Sequence, residues 1–185
     1  LNLCDRLSGV ATKTRAIVDA AHSANPACEV LTTRKSMPGV KDLLTKAVTC
    51  GGAFPHRLGA SETVLVFDHH ITFMGGFEAF LEALPALRGR CVEKKLFVEA
   101  GPDEARRLAK AGVDGIQLDK MPVDDLAALV PELRAIDPHL TLIAAGGINL
   151  QNAAAYAATG VDGLATTAPF TAKPIDMSVR MKRAE

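Results

Sequence analysis

Apolar positions in this chain recur at two spacings, and the switch between them lays out its elements. Leu3, Leu7, Val10, Ala11, Thr14, Ile17 and Val18 fall three or four apart, which predicts an amphipathic helix from Leu3 to Ala21. Asn25-Pro26 breaks it. Apolar runs of strand length then follow at Cys28–Thr32, Thr63–Phe67, Leu96–Val98, Gly115–Leu118, Leu140–Ala144 and Asp162–Ala165. Helical stretches separate them. One runs from Pro38-Gly39 to Val48 and stops at Gly51-Gly52. Another covers Phe77 to Leu87, with Pro85 marking a last turn or a kink. Three more begin at Pro102, at Val123 and at Asn149, which is placed to cap the last of them. Phe54-Pro55-His56-Arg57-Leu58-Gly59 reads as a loop, and a short turn after Pro174 closes the chain.

The stretch Lys95 to Asp119 shows how these pieces assemble. A strand stops at Glu99, a helix opens with Pro102-Asp103-Glu104, and the next strand stops at Asp119. Two strands joined by one helix are parallel, so Glu99 and Asp119 come to the same sheet edge. That edge is where α/β folds place ligands. Ala111-Gly112-Val113-Asp114-Gly115-Ile116 returns as Thr159-Gly160-Val161-Asp162-Gly163-Leu164, 48 positions later (160 − 112). Two βα units of about 24 residues each fit that interval. Six strands leave no room for eight, so the expected fold is α/β, a truncated, about six-stranded parallel βα barrel. An open doubly wound sheet is the alternative.

Composition narrows the function. The 185 residues carry no net formal charge, which removes a global electrostatic argument for nucleic acid or membrane partners. Cys4, Cys28, Cys50 and Cys91 lack metal-ligand spacing and read as reduced thiols of a cytoplasmic protein. No stretch is long and apolar enough to span a bilayer, and no signal peptide is evident. Leu1 already lies inside a helical pattern, so further sequence upstream is expected. Residues 1–24 then form a leading helix and 25–185 the barrel.

The groups that follow the strands concentrate the chemistry: Arg34 and Lys35; Asp68, His69 and His70; Glu99; Asp119 and Lys120; Gly146-Gly147; Thr166-Thr167. Any one of them could be an ordinary solvated loop residue. Together they place cations, carboxylates and two small-residue turns at one mouth. Gly146-Gly147 and, one unit later, Thr166-Thr167 form a plausible phosphate cradle. Glu99 and Asp119 suit Mg²⁺ held through water, or the stabilisation of developing positive charge, unless each simply pairs with Lys95 or Lys120. Arg34, Lys35, His56 and Arg57 suit an acidic substrate. His69-His70 reads poorly as a zinc pair, because adjacent strand residues point to opposite faces.

These residues resemble the quinolinate phosphoribosyltransferase family, the nicotinate-nucleotide pyrophosphorylases. The matching stretches are Leu1-Asn2, Leu7-Ser8-Gly9-Val10-Ala11-Thr12, Thr33-Arg34-Lys35 with Pro38-Gly39, and His56-Arg57-Leu58-Gly59. Glu99, Leu118-Asp119, Gly146-Gly147-Ile148, Gly160-Val161-Asp162 and Asp176 continue them. Phe67-Asp68, Gln117-Leu118-Asp119-Lys120, Thr167-Ala168-Pro169 and Ala172-Lys173-Pro174 are most like its ModD branch, which is associated with molybdenum-transport loci. The resemblance implies a truncated barrel preceded by an N-terminal sandwich domain not present in this chain, in a homodimer or larger homo-oligomer with shared active sites. It implies attack of a quinolinate nitrogen on C1 of phosphoribosyl pyrophosphate with Mg²⁺, then decarboxylation, within NAD biosynthesis. By the same resemblance Thr33, Arg34, His56 and Arg57 face the acid. Lys35 takes the phosphoribosyl donor, and Glu99 and Asp119 the ribose and Mg²⁺ side. Ala145, Gly146, Gly147, Ala165, Thr166 and Thr167 take the 5′-phosphate.

The chain also departs from the family pattern. Phe67 replaces a lysine, Ala145 a serine and Thr167 a glycine, and the loop after Glu99 is a residue shorter. The arginine that the family contributes to a neighbour's site would lie upstream of Leu1. Two other readings stand beside a transferase: a non-catalytic anion-binding or molybdenum-transport accessory protein, and a barrel isomerase or aldolase using Lys35 as base or Schiff-base amine.

Overall fold

The computed structural model describes residues 1–59 and 61–183. The expected barrel portion is therefore described to 183, and its last two positions lie outside. A long helix leads, α1 (Asn2–Ala24), followed by β1 (Glu29–Thr32), α2 (Lys41–Cys50), β2 (Phe54–Pro55) and β3 (Val64–Val66). Next come α3 (Asp68–Phe73), α4 (Phe77–Arg90), β4 (Leu96–Glu99), α5 (Pro102–Ala111) and β5 (Gly115–Asp119). The chain continues through α6 (Val123–Ile136), β6 (Thr141–Ala145), α7 (Ala153–Ala158), β7 (Gly163–Thr166) and a 3-10 turn at Ala168–Thr171.

Seven parallel strands pair in the order β2-β1-β7-β6-β5-β4-β3 and curl into a half-barrel. The truncated barrel is thus the fold, with one strand more than the apolar runs predict. The added strand is Phe54–Pro55, expected as loop. It is two residues long, too short to show periodicity, and it pairs on one side only, where proline is tolerated.

The two faces of the strands serve different cores. Val30, Val66, Val98, Ile116, Leu118, Leu142 and Leu164 point outward and pack with helix residues such as Ile17, Phe80, Leu108, Leu126 and Leu133. Burying a side chain of this size contributes about 1.5–3 kcal/mol. Inward, Leu65, Phe97, Ile143, Ala145 and Ala165 form a second, smaller cluster with Leu31 and Phe67 against it. Gly115 makes room for it, because a Cβ there would lie 2.5 Å from the Phe97 ring.

Helix α1 packs on α2 and α7 and is tied to the closing segment. Arg6 donates to the carbonyls of Ala172 (2.6 Å) and Phe170 (3.1 Å), and Lys13 Nζ donates to Thr171 Oγ1 (2.8 Å). The turn that closes the chain therefore precedes Pro174 rather than following it. Helix α4 runs past Pro85 to Arg90, so that proline is not in its last turn. Asn149 does not cap α7. Its Oδ1 accepts from Gln151 N, and the helix starts at Ala153 after Asn152.

Candidate functional site

At the carboxyl ends of the strands lies a cavity of about 710 Å³. Strand β1 runs into Thr33, Arg34 and Lys35, and the segment after β2 carries His56 and Arg57. Phe67 follows β3, Glu99 and Asp119 end β4 and β5, and Ala145 ends β6. Gly146, Gly147, Ala165, Thr166 and Thr167 complete the wall, so the cavity collects every residue that the family resemblance gives a role, while His70 and Lys120, also expected at the mouth, do not line it. Register explains the gathering. Glu99 pairs with Gln117, Asp119 with Ala145, and Ala145 with Ala165, which sets their side chains on the inner face.

The cavity is electrically divided. Burial pushes His56 down to about 4, and the neighbouring charges of Arg57 and Arg34 push the same way, so His56 is neutral at pH 7. Burial and Arg34 also lower Arg57, against the pull of Glu62. On the opposite wall burial raises Glu99, and Asp119 adds to the rise. A hydrogen bond from Gln117 and the charges of Lys120 and Lys35 oppose it. Lys120 Nζ lies 3.6 Å from Asp119 Oδ2. Lys95, by contrast, lines a separate groove with Arg88 and Asp114 at the start of β4, so it pairs with neither carboxylate.

Close backbone approach shapes the phosphate-cradle candidates. Gly146 has φ +83°, and a Cβ there would meet Asp119 Oδ1 at 2.7 Å and Lys120 N at 2.7 Å. Gly147 has φ +75° and faces open space. The Gly147 carbonyl accepts from Asn149 Nδ2 (3.0 Å) and Asn152 Nδ2 (3.1 Å). Thr166 links the two turns: its hydroxyl donates to the Ile148 carbonyl at 2.6 Å and accepts from Ala168 N at 3.0 Å. That hydroxyl is occupied in holding the turns.

Phe67 fills a gap between the core and the cavity. Its ring packs on the inner cluster, stacks on His69 (centroids 5.5 Å apart, planes 10° apart) and lies 5.8 Å below the Arg57 guanidinium. His69 and His70 sit in the first turn of α3, not on a strand, with ring centroids 4.1 Å apart. His70 Nδ1 accepts from Phe67 N at 2.9 Å, a cap at the start of this helix.

Sequence reasoning missed one polar wall residue. Gln117 is buried and lines the cavity, and its Nε2 donates to Glu99 Oε2 at 2.6 Å. The signal was present: a polar residue in an apolar strand, two positions before Asp119 and so on the same face. A second groove, about 420 Å³, shares Asp68, Glu99 and Asp119 with the main cavity and extends over Glu104 and Asp125.

These features define a parallel α/β half-barrel with an electrically divided mouth. The chain belongs to the quinolinate phosphoribosyl transferase family: residues 10–180 match that family's C-terminal domain. It is 45% identical over 154 residues to "Putative pyrophosphorylase ModD" of Rhodobacter capsulatus, covering 83% of this chain and 59% of that protein. It is 36% identical over 169 residues to the nicotinate-nucleotide pyrophosphorylase (carboxylating) of Mycobacterium leprae, covering 91% and 58%. The structure of NadC from Streptococcus pyogenes superposes with a TM-score of 0.85 at 27% identity, covering 98% of this chain and 62% of that one. The chain thus spans about 60% of the length of these relatives.

Proposed function

We propose that this half-barrel carries the active site of a phosphoribosyltransferase, which moves phosphoribosyl from phosphoribosyl pyrophosphate to the ring nitrogen of a small acidic aromatic acceptor. One observation carries the reading: a single cavity sets Arg34, Lys35 and Arg57 against Glu99 and Asp119, with the Gly146-Gly147 and Thr166-Thr167 turns between them. Family membership supports it.

The acceptor nitrogen gives its lone pair to C1 of the sugar, the C1–oxygen bond breaks, and pyrophosphate leaves with that electron pair. Positive charge grows on the ribose ring as the bond loosens. Glu99 and Asp119 lie on the wall where a carboxylate stabilises it. Lys35 would face the leaving pyrophosphate, and Arg34, Arg57 and Thr33 the acceptor's acid group. Neutral His56 accepts or donates a hydrogen bond without adding a third full charge beside Arg34 and Arg57. The turns present backbone N–H groups to the 5′-phosphate.

Two carboxylates fit Mg²⁺, which takes one or two from protein and completes its shell with phosphate and water. Glu99 and Asp119 would hold it, and it would neutralise charge on the departing pyrophosphate. No helix among the described residues is long and apolar enough to cross a membrane.

Phe67 shapes the acceptor. A ring beside Arg57 favours a flat acid with fewer carboxylates than quinolinate. A cytoplasmic homodimer or larger homo-oligomer is the assembly we expect. Calorimetry with phosphoribosyl pyrophosphate and Mg²⁺ tests the core of this reading. Saturable binding lost in Lys35→Ala supports it, and no binding to the complete protein would remove it. Binding without turnover of any aromatic acid would leave the accessory anion-binding role.

A further inference from the structure

We propose that Gln117 is a positioning residue that holds the Glu99 carboxylate at the cavity wall. In β5 the inward positions are Gly115, Gln117 and Asp119, and register sets Gln117 between Glu99 on β4 and Ile143 on β6. Its Nε2 donates to Glu99 Oε2 at 2.6 Å, a short bond to a carboxylate acceptor. Among the described residues no other side chain bonds to Glu99.

The other half of the amide shows why this bond is more than packing. Gln117 is only 6% exposed, and its Oε1 is buried with no hydrogen-bond partner. An unpaired buried acceptor lowers stability. Its inward neighbours Phe97 and Ile143 are apolar, so methionine, of similar length and shape, would fill the space without stranding an oxygen. Packing alone therefore favours an apolar residue here. What the amide adds is one directed N–H bond to one carboxylate oxygen, which fixes how Glu99 presents its other oxygen to a ligand. That carboxylate is otherwise surrounded by charges that do not bond it: Asp119, Lys120 and Lys35 on the cavity side. Asp68, Glu104 and Asp125 line the adjoining groove.

The inference rests on the proposed role of Glu99, and the tests separate the two. Gln117→Met removes donor and stranded oxygen together. We expect an unchanged or higher thermal midpoint and a roughly tenfold loss of affinity for Mg²⁺-phosphoribosyl pyrophosphate, about the value of one charge-assisted hydrogen bond. Gln117→Asn keeps an amide one methylene too short and should lose affinity equally. In Glu99→Ala, adding Gln117→Met should cost nothing further. A lower midpoint with unchanged affinity, or fully additive losses, would overturn the idea. A ligand-free readout stands apart: the Gln117 side-chain amide proton should resonate downfield in the unmodified protein and return toward its ordinary position in Glu99→Ala. If it ignores Glu99→Ala, positioning is wrong whatever the substrate. If it responds while phosphoribosyl pyrophosphate does not bind, positioning stands and the functional reading falls.

Discussion

Phe67 joins two tasks that a lysine there would split. Its ring contributes to the inner cluster and also lies under Arg57, so replacing it alters both the packing and the surroundings of that guanidinium. Phe67→Lys should lose about 1–3 kcal/mol of folding stability through lost packing and the lost cation–π contact. The same change supplies a further cation, and quinolinate should then bind roughly tenfold tighter or better. Titrating both proteins with quinolinate checks this, and equal affinities would refute the specificity argument. His56 gives a prediction in pH. Its folded value is about 4 and its unfolded value 6.5, so between them the unfolded chain holds the extra proton. Stability should therefore be full above pH 6.5 and fall as pH drops toward 4, by about 2 kcal/mol after allowance for partial exposure. Urea unfolding at both ends should show the slope, and His56→Gln should flatten it. The carboxylates at this scale were legible because each ends a short apolar run. Gln117 was not read as a wall residue, because a single amide in a strand signals nothing until its partner across the ladder is known.

At the scale of elements, the β6–α7 turn carries the sharpest test. Gly146 and Gly147 both have positive φ, so alanine at either adds about 1 kcal/mol of backbone strain. Only Gly146 also faces Asp119 and Lys120 at closer than contact distance. Gly146→Ala should therefore cost about 1–2 kcal/mol more than Gly147→Ala and weaken Mg²⁺-phosphoribosyl pyrophosphate binding by displacing Asp119. Equal unfolding free energies for the two variants would show that the close approach is not what glycine serves there. The pattern of apolar runs predicted this turn, as it did the five strands that build the inner wall with β1. It failed where an element is too short to have a period. Strand β2 is two residues and includes proline, and α3 is six residues beginning at once after β3. The two histidines of α3 were accordingly read as strand-end neighbours pointing apart, whereas a helical turn brings their rings together.

Across the whole molecule, zero net charge conceals a dipolar mouth: Arg34, Lys35 and Arg57 on one lip, Asp68, Glu99 and Asp119 on the other. The sheet order explains the division, since β1 and β2 form one edge while β3, β4 and β5 lie toward the other. A ligand with an anionic end and hydroxyl or metal-bearing groups fits such a field better than a plain anion does. Phosphoribosyl pyrophosphate with Mg²⁺ has that form. If it binds only the folded chain, it must stabilise the fold by mass action, by about 2.7 kcal/mol at one hundred times Kd. For a protein of this size that is a rise of roughly 5–10 °C in thermal midpoint. Chelating Mg²⁺ should remove most of the rise, because the Glu99–Asp119 wall then faces bare phosphate charge. Raising salt should shrink it further by screening Arg34 and Lys35, while the midpoint without ligand stays nearly fixed. A thermal-shift series with phosphoribosyl pyrophosphate, with and without chelator, reads all three effects. A rise that survives chelation unchanged would mean that the two carboxylates do not face the bound pyrophosphate.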